Sequence, residues 1–111
     1  MTSLITGAGL VGVAYAREAL KEGDKVVFYD VRPDADYLRA KLGDAEVSTI
    51  QGDLRDLPAL VDAMNTHRPE LVIHTAGLIG SSVSNPTYTG LQINIVGTIN
   101  VLEAARLSGV K

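Results

Sequence analysis

The chain has 111 residues, enough for one domain with a modest core, and its net charge of -3 leaves no basic surface for nucleic acid. It contains no cysteine, which excludes a disulfide framework and thiolate chemistry and suits a reducing cytoplasm. Its longest apolar runs are shorter than the roughly 20 residues of a membrane span, so we expect a cytoplasmic protein that partners neither nucleic acid nor a membrane.

Strands and helices alternate along the chain. The apolar runs predict four strands, at Thr2–Thr6, Lys25–Asp30, Glu46–Gln51 and Leu71–Thr75. The segments after them predict four helices, at Val11–Glu22, Ala35–Leu42, Asp56–Thr66 and Leu91–Leu107, with Pro86 beginning the approach to the last. Such alternation implies parallel strands joined by right-handed crossovers, so we predict an α/β fold with a Rossmann-type doubly wound sheet.

A glycine-rich turn lies between the first strand and the first helix. Gly7, Gly9 and Gly12 match the pattern G-x-G-x-x-G, whose glycines permit a tight turn, close approach of a pyrophosphate and close packing of helix on strand. Asp30 ends the second strand, where a carboxylate accepts hydrogen bonds from an adenosine ribose and repels a 2'-phosphate. The turn and the acid together predict dinucleotide binding and favour NAD over NADP.

Several side chains near the strand ends allow more than one interpretation. Arg32 either receives a 2'-phosphate, pairs with Asp30 or is a solvated surface residue, and the last is favoured. Asp53, at the end of the third strand, either accepts a hydrogen bond from an adenine amino group or is a turn residue. His74 is interpreted as a strand-end histidine bonded to backbone rather than a catalytic base. No cluster of His or Cys has metal-ligand spacing, so no metal is expected.

The last predicted helix carries apolar residues around its whole circumference, namely Ile93, Ile95, Val96, Ile99, Val101 and Leu102. A helix that covers only one face of a sheet does not need this distribution, so a second buried face is implied. Asn94 and Asn100 interrupt the apolar surface and need hydrogen-bond partners, which either a ligand or a neighbouring loop supplies.

In their order and spacing, these motifs resemble the N-terminal half of an extended short-chain dehydrogenase/reductase of the NAD-dependent epimerase/dehydratase family, with sugar-nucleotide 4-epimerases as a close comparison. The motifs are Thr6-Gly7-Ala8-Gly9-Leu10-Val11-Gly12, Asp30, Gly52-Asp53-Leu54, Val72-Ile73-His74-Thr75-Ala76-Gly77, Asn85-Pro86, Asn94, Gly97-Thr98, Asn100 and Leu102-Glu103-Ala104-Ala105. The resemblance implies the strand order 3-2-1-4 and one NAD(P)-binding domain over residues 1–111 that is incomplete at its C-terminus. It also implies NAD-dependent oxidoreduction or epimerisation of a sugar nucleotide or related hydroxyl substrate.

The resemblance further implies a role for each cofactor-binding residue. The backbone would hold the pyrophosphate, carboxylates would meet the adenosine, and small residues would line the nicotinamide. By position these are Gly9, Leu10 and Val11 for the pyrophosphate, Asp30 for the ribose, Asp53 and Leu54 for the adenine, Thr75, Ala76 and Gly77 for the nicotinamide, and Asn94 to hold local backbone at the site.

Two features depart from the family pattern. The family spaces its glycines T-G-x-x-G-x-x-G, and this turn is one residue shorter. Family members also use a Tyr-x-x-x-Lys pair on a later helix, whereas here only Tyr37 and Lys41 have that spacing, and they lie after the second strand. We therefore predict no catalytic residue, and we expect the isolated chain to bind dinucleotide weakly and to catalyse nothing.

The expected partners follow from surfaces that the chain itself does not cover. The fourth strand is expected at a sheet edge, although Leu71-Val72-Ile73 is composed like an interior strand. A second copy bound through the last helix, or the missing C-terminal half, would cover these surfaces. The alternative to an NAD-binding part of an enzyme is a non-catalytic nucleotide-sensing or interaction module that works by oligomerisation.

Overall fold

The computed structural model describes residues 1–79 and 87–110. In this part of the chain one parallel sheet of four strands has the order β3-β2-β1-β4. The strands are β1 (Thr2–Thr6), β2 (Lys25–Asp30), β3 (Val47–Gln51) and β4 (Leu71–His74). The predicted α/β Rossmann-type fold and its strand order are therefore confirmed.

The helices lie close to their predicted positions. They are α1 (Leu10–Lys21), α2 (Ala35–Leu42), α3 (Leu57–His67), α4 (Thr87–Leu91), a π-helical segment (Gln92–Val96) and α5 (Gly97–Leu107). The carboxylate of Asp56 accepts the amide hydrogen of Ala59 and so caps α3. The predictions for Asn85 and Pro86 lie outside the described residues. No helix in the described part of the chain is long and apolar enough to cross a membrane.

The last helix differs from its prediction. It was predicted as one regular helix from Leu91, but among the described residues Thr87–Leu91 is already helical, and the helix widens into a π-turn over Gln92–Val96. The amide of Gly97 donates to the carbonyl of Gln92, five residues back, as a π-turn requires. The spacing of apolar residues does not distinguish one such widened turn from regular α-helix.

The two faces of the sheet carry two separate cores. Leu4, Val27 and Tyr29 point to the face covered by α3 and α5, whereas Ile5 and Phe28 point to the face covered by α1 and α2. Successive side chains of a strand alternate between faces, so these interior strands are apolar on both sides. Both layers of helices thus anchor the carboxyl ends of the strands, where the site lies.

The outer surface of the last helix is uncovered in this chain. Val101 and Ala104 are buried against the sheet, but Ile95, Ile99 and Leu102 are 54%, 57% and 67% exposed. The predicted second buried face is therefore a solvent-exposed apolar surface here, next to the edge strand β4.

Candidate functional site

A cleft of about 620 Å³ opens at the carboxyl ends of the strands. Ligands of open α/β sheets bind in this position. Every predicted cofactor-binding residue except Asn94 lines it: Gly7, Gly9, Leu10, Val11, Gly12, Asp30, Asp53, Leu54, Thr75, Ala76 and Gly77. The lining also includes Tyr29, Val31, Gly52, Arg55, Leu78, Ile79 and Ile93, which the sequence did not assign to the site.

The glycine turn fits tightly against both the strand and the helix. Gly7 has a φ of 90°, which residues with a Cβ rarely adopt. A Cβ on Gly12 would collide with the carbonyl oxygen of Gly7, so helix α1 approaches the turn as closely as a glycine allows. A Cβ on Gly9 would meet no atom of the described residues within 4 Å, so among them open space remains beside this residue at the cleft.

The N-terminus of α1 presents unpaired backbone donors to the cleft. The first intrahelical hydrogen bond runs from the amide of Val13 to the carbonyl of Gly9, 2.9 Å away. The amides of Leu10, Val11 and Gly12 precede it and have no acceptor within the helix. Gly9, the N-cap residue, supplies no side-chain acceptor, and the first turn has no acidic residue. This end of the helix is suited to an anionic group.

Asp30 joins the glycine turn to the segment after β2. Its Oδ2 accepts the amide hydrogen of Ala8 at 2.7 Å, and its Oδ1 accepts that of Arg32 at 2.8 Å. Arg32 thus meets Asp30 through its backbone, and the ion pairs of the described residues include none between their side chains. Two backbone donors fix the orientation of the carboxylate at the cleft.

Asp53 is held by a cation that the sequence analysis did not assign to the site. The guanidinium of Arg55 donates to both carboxylate oxygens of Asp53, with Nη2 at 2.7 Å from Oδ2. These hydrogen bonds lower the pKa of the Asp53 carboxyl below its ordinary value. Asp53 therefore presents a charge-paired carboxylate at the rim of the cleft rather than a free one.

Tyr29 supports the loop that carries Asp53. Its hydroxyl donates to the Asp53 carbonyl at 2.9 Å, and its ring packs where a Cβ on Gly52 would lie. Burial, followed by the nearby carboxylates of Asp56 and Asp53, raises the pKa of Tyr29 from 10.0 to about 12. The phenol thus stays protonated and keeps its hydrogen bond under ordinary conditions.

Replacing Tyr29 by phenylalanine is expected to lower the free energy of unfolding at neutral pH by about 1 kcal/mol, because the Asp53 carbonyl loses its donor. The folded-state pKa lies above the ordinary one, so the parent chain loses stability as pH rises from 10 toward 12. Tyr29→Phe should not show this loss. Urea unfolding across the pH range measures both effects, with Tyr15→Phe, at an exposed tyrosine, as the control. An equal alkaline decline in parent and Tyr29→Phe would contradict the assignment.

The end of β4 is bonded to the end of β1 through side chains. The hydroxyl of Thr75 donates to the carbonyl of Thr6 at 2.6 Å. His74 bonds not to backbone, as the sequence analysis expected, but to two hydroxyls: Nδ1 lies 2.6 Å from Oγ1 of Thr6 and Nε2 lies 2.9 Å from Oγ1 of Thr98. The expected backbone partner is therefore wrong, because threonine hydroxyls occupy both sides of the imidazole.

Two asparagines of the last helix hold the loops that form the cleft. The side chain of Asn94 accepts the amide hydrogen of Leu78 and donates to its carbonyl, both at 2.8 Å. Asn100 donates to the carbonyl of Leu54 at 2.9 Å. The sequence left open whether a ligand or a neighbouring loop bonds these asparagines. In the structure, neighbouring loops supply these hydrogen bonds. Asn94 is not itself among the lining residues, but it binds the backbone of Leu78, which is.

Tyr37 and Lys41 lie in α2, and neither is among the residues that line the cleft. The Lys41 ammonium lies 5.8 Å from the centre of the Tyr37 ring, a cation–π distance on the helix surface.

A protein-family model described as the NAD dependent epimerase/dehydratase family matches residues 3–111. A UDP-glucose 4-epimerase of Klebsiella pneumoniae is 32% identical over 118 aligned residues, which cover 100% of this chain and 84% of that protein. A UDP-glucose 4-epimerase of Rhizobium leguminosarum bv. trifolii is 29% identical over 109 residues, covering 96% of this chain and 32% of the relative. The chain therefore spans about a third of the length of the second relative.

Solved structures agree with the fold. The crystal structure of a UDP-glucose 4-epimerase from Stenotrophomonas maltophila, with bound NAD and formylated UDP-arabinopyranose, superposes on the whole chain with a TM-score of 0.86 and 30% identity. A Thermus thermophilus UDP-glucose 4-epimerase in complex with NAD gives a TM-score of 0.84 at 29% identity. This chain covers 35% of each. Both structures contain NAD, and about a third of each superposes on this chain.

Proposed function

The chain belongs to the NAD-dependent epimerase/dehydratase family, and we propose that its cleft is the NAD-binding part of such an enzyme. The observation that carries the proposal is the open space beside Gly9 at an uncapped helix N-terminus. Unpaired amides face this space, no side chain of residues 1–79 or 87–110 fills it, and Asp30 lies fixed at the same edge of the sheet. A diphosphate next to a ribose matches this combination of donors and acceptor.

In this proposal, different groups of the chain bind different parts of the cofactor. The amides of Leu10 and Val11 bind the pyrophosphate, and Asp30 accepts hydrogen bonds from the adenosine ribose. Asp53, charge-paired with Arg55, accepts a hydrogen bond from the adenine amino group while Leu54 packs beside the ring. The turn is one residue shorter than the family pattern, but a ligand still has access to the helix N-terminus, because Gly9 has no side chain that would close the cleft there.

The nicotinamide half is proposed to lie along Thr75, Ala76 and Gly77, the small residues that leave β4. NAD, when bound, supplies hydride chemistry. The chain's own residues orient the cofactor and exclude water from one side of it. The apolar side chains of Ile79 and Ile93, which also line the cleft, support that second task.

For the whole protein we propose epimerisation, dehydration or oxidoreduction of a sugar nucleotide. This step rests on the relatives, which include UDP-glucose 4-epimerases and a dTDP-glucose 4,6-dehydratase of Xanthomonas campestris pv. campestris. No residue of this chain is assigned a catalytic role. A cytoplasmic location stays a prediction from the sequence.

We also propose that the exposed apolar face of the last helix is covered by a second copy of the chain or by the rest of the protein. Ile95, Ile99 and Leu102 recur at helical spacing on one side, and monomeric proteins rarely leave such a stripe in water. The non-catalytic sensing module named above has no separate observation in its favour.

Calorimetric titration of the chain with NAD and NADP tests the function. We expect measurable binding of NAD and weaker binding of NADP, because the Asp30 carboxylate repels a 2'-phosphate. A folded sample, verified by circular dichroism, that binds neither cofactor would refute the proposal.

A further inference from the structure

His74 lies at the centre of a ring of hydrogen bonds that begins and ends in the lining of the cleft. The amides of Thr75 and Ala76 donate to Oγ1 of Thr6, at 3.2 and 3.3 Å. Thr6 and Thr98 contact the two nitrogens of His74.

The hydroxyl of Thr98 continues the ring into the π-helical segment. It donates to the carbonyl of Asn94 at 2.7 Å. The Asn94 side chain then binds both backbone groups of Leu78, a residue of the cleft lining. The ring therefore returns to the same segment from which it started.

The partners determine where each proton lies. Thr98 gives its hydroxyl hydrogen to Asn94, so it accepts a hydrogen from Nε2 of His74. The hydroxyl oxygen of Thr6 accepts the amide hydrogen of Ala76 and shares that of Thr75 with the Thr6 carbonyl, so Thr6 donates its own hydroxyl hydrogen to Nδ1. Each hydroxyl has one hydrogen to donate, and a neutral imidazole has one donor and one acceptor nitrogen. His74 is thus the neutral Nε2–H tautomer, with every donor in the ring paired.

We propose that His74 is a positioning residue for residues 75–78, the part of the cleft lining that follows β4, acting through Thr6 on one side and through Thr98 and Asn94 on the other. The ligand this segment contacts rests on the proposed function above, but the ring itself does not. One imidazole ties β1, β4 and the last helix together, so the loop has a single arrangement only while both of its nitrogens are bonded.

A second proton on His74 would break the ring. It would sit on Nδ1 and face the hydroxyl hydrogen of Thr6, which would have to turn away. Burial already lowers the pKa of His74 below its ordinary 6.5. Of the elements bonded to it, β1 and β4 carry no other charged or titratable side chain, and in α5 Glu103 and Arg106 pair with each other. Acidification below pH 6.5 is therefore expected to release the loop.

Thr98→Val tests the ring, because it removes a hydroxyl without changing the shape of the side chain. The matched control is Thr66→Val, at an exposed helical threonine near the amino ends of the strands, away from the cleft. We expect hydrogen exchange of the Leu78 amide to become about tenfold faster in Thr98→Val, because Nε2–H of His74 loses its acceptor and Asn94, which binds Leu78, loses its link to the imidazole. It should be unchanged in Thr66→Val.

His74→Gln and His74→Phe separate positioning from a general loss of stability. Glutamine keeps one donor and one acceptor and has no titratable proton, whereas phenylalanine has neither donor nor acceptor. We expect NAD affinity in the parent to fall severalfold between pH 7.5 and pH 5.5, to be independent of pH in His74→Gln, and to be low at both values in His74→Phe. Nitrogen NMR shifts of His74 report its tautomer in the same samples.

The outcomes distinguish this inference from the proposed function. A parent chain that does not bind NAD, together with faster Leu78 exchange in Thr98→Val, would refute the function and support the ring. NAD binding with unchanged Leu78 exchange in Thr98→Val, or an Nδ1–H tautomer of His74, would overturn the ring and leave the function standing. If His74→Phe does not fold, the exchange measurement on Thr98→Val decides.

Discussion

Replacing Gly12 by alanine is expected to lower the free energy of unfolding by roughly 3 kcal/mol and to abolish NAD binding. The added Cβ would occupy the position of the Gly7 carbonyl oxygen, and neither atom belongs to a flexible side chain. Helix α1 would have to move away from the turn, and its unpaired amides would move with it. Urea unfolding measures the first effect and calorimetric titration the second.

Gly9→Ala is the matched comparison, since it adds the same methyl group three residues earlier. Gly9 has ordinary extended backbone and open space where a Cβ would lie, so we expect its unfolding free energy to stay close to that of the parent chain. NAD binding should still weaken, because the methyl group would stand in the space proposed for the pyrophosphate. Equal stability of Gly12→Ala and Gly9→Ala would contradict the close packing of α1 on the turn.

Much of the fold could be predicted because each element has a local cause. Lys25–Asp30 is apolar across its width and became an interior strand, and Asp56 with Pro58 began α3 where the capping chemistry placed it. The strand order was implied by the family resemblance rather than by any strand's composition. The π-turn at Gln92–Val96 was missed because the spacing of apolar residues does not distinguish it from α-helix, and the bonds between its Asn94 and Leu78 appear only in the folded chain.

The residues that line the cleft were predictable where backbone determines the contact and less so where side chains pair across the fold. The glycines of the turn and the acid at the end of β2 form a sequence pattern that predicts these contacts. Arg55 does not, because only the folded loop shows that its guanidinium binds the carboxylate of Asp53. The role of Leu78 could not be predicted from its residue type either, because Asn94 binds its backbone and not its side chain.

Asp30 has two tasks in the same structure, and this affects how its substitution is interpreted. Its carboxylate holds the amides of Ala8 and Arg32 in the free chain and is proposed to hold the ribose as well. Loss of affinity for NAD alone could thus come from a disordered turn. The ratio of NAD to NADP affinity avoids this ambiguity, because the two cofactors share every contact except the one at the 2'-position.

Asp30→Ala is therefore expected to weaken NAD binding about 100-fold, because charge-assisted hydrogen bonds are lost, and to weaken NADP binding much less. Removing the carboxylate also ends its repulsion of the 2'-phosphate, and the exposed Arg32 lies close enough in sequence to approach that phosphate. Calorimetric titration with both cofactors measures the ratio, and Asp62→Ala, at an exposed acid of α3, controls for the change in net charge. Asp30→Asn keeps an acceptor oxygen for one of the two amides while losing the charge, so it should change the ratio with less effect on the turn. A ratio equal to that of the parent in both Asp30 variants would show that this carboxylate does not select the cofactor.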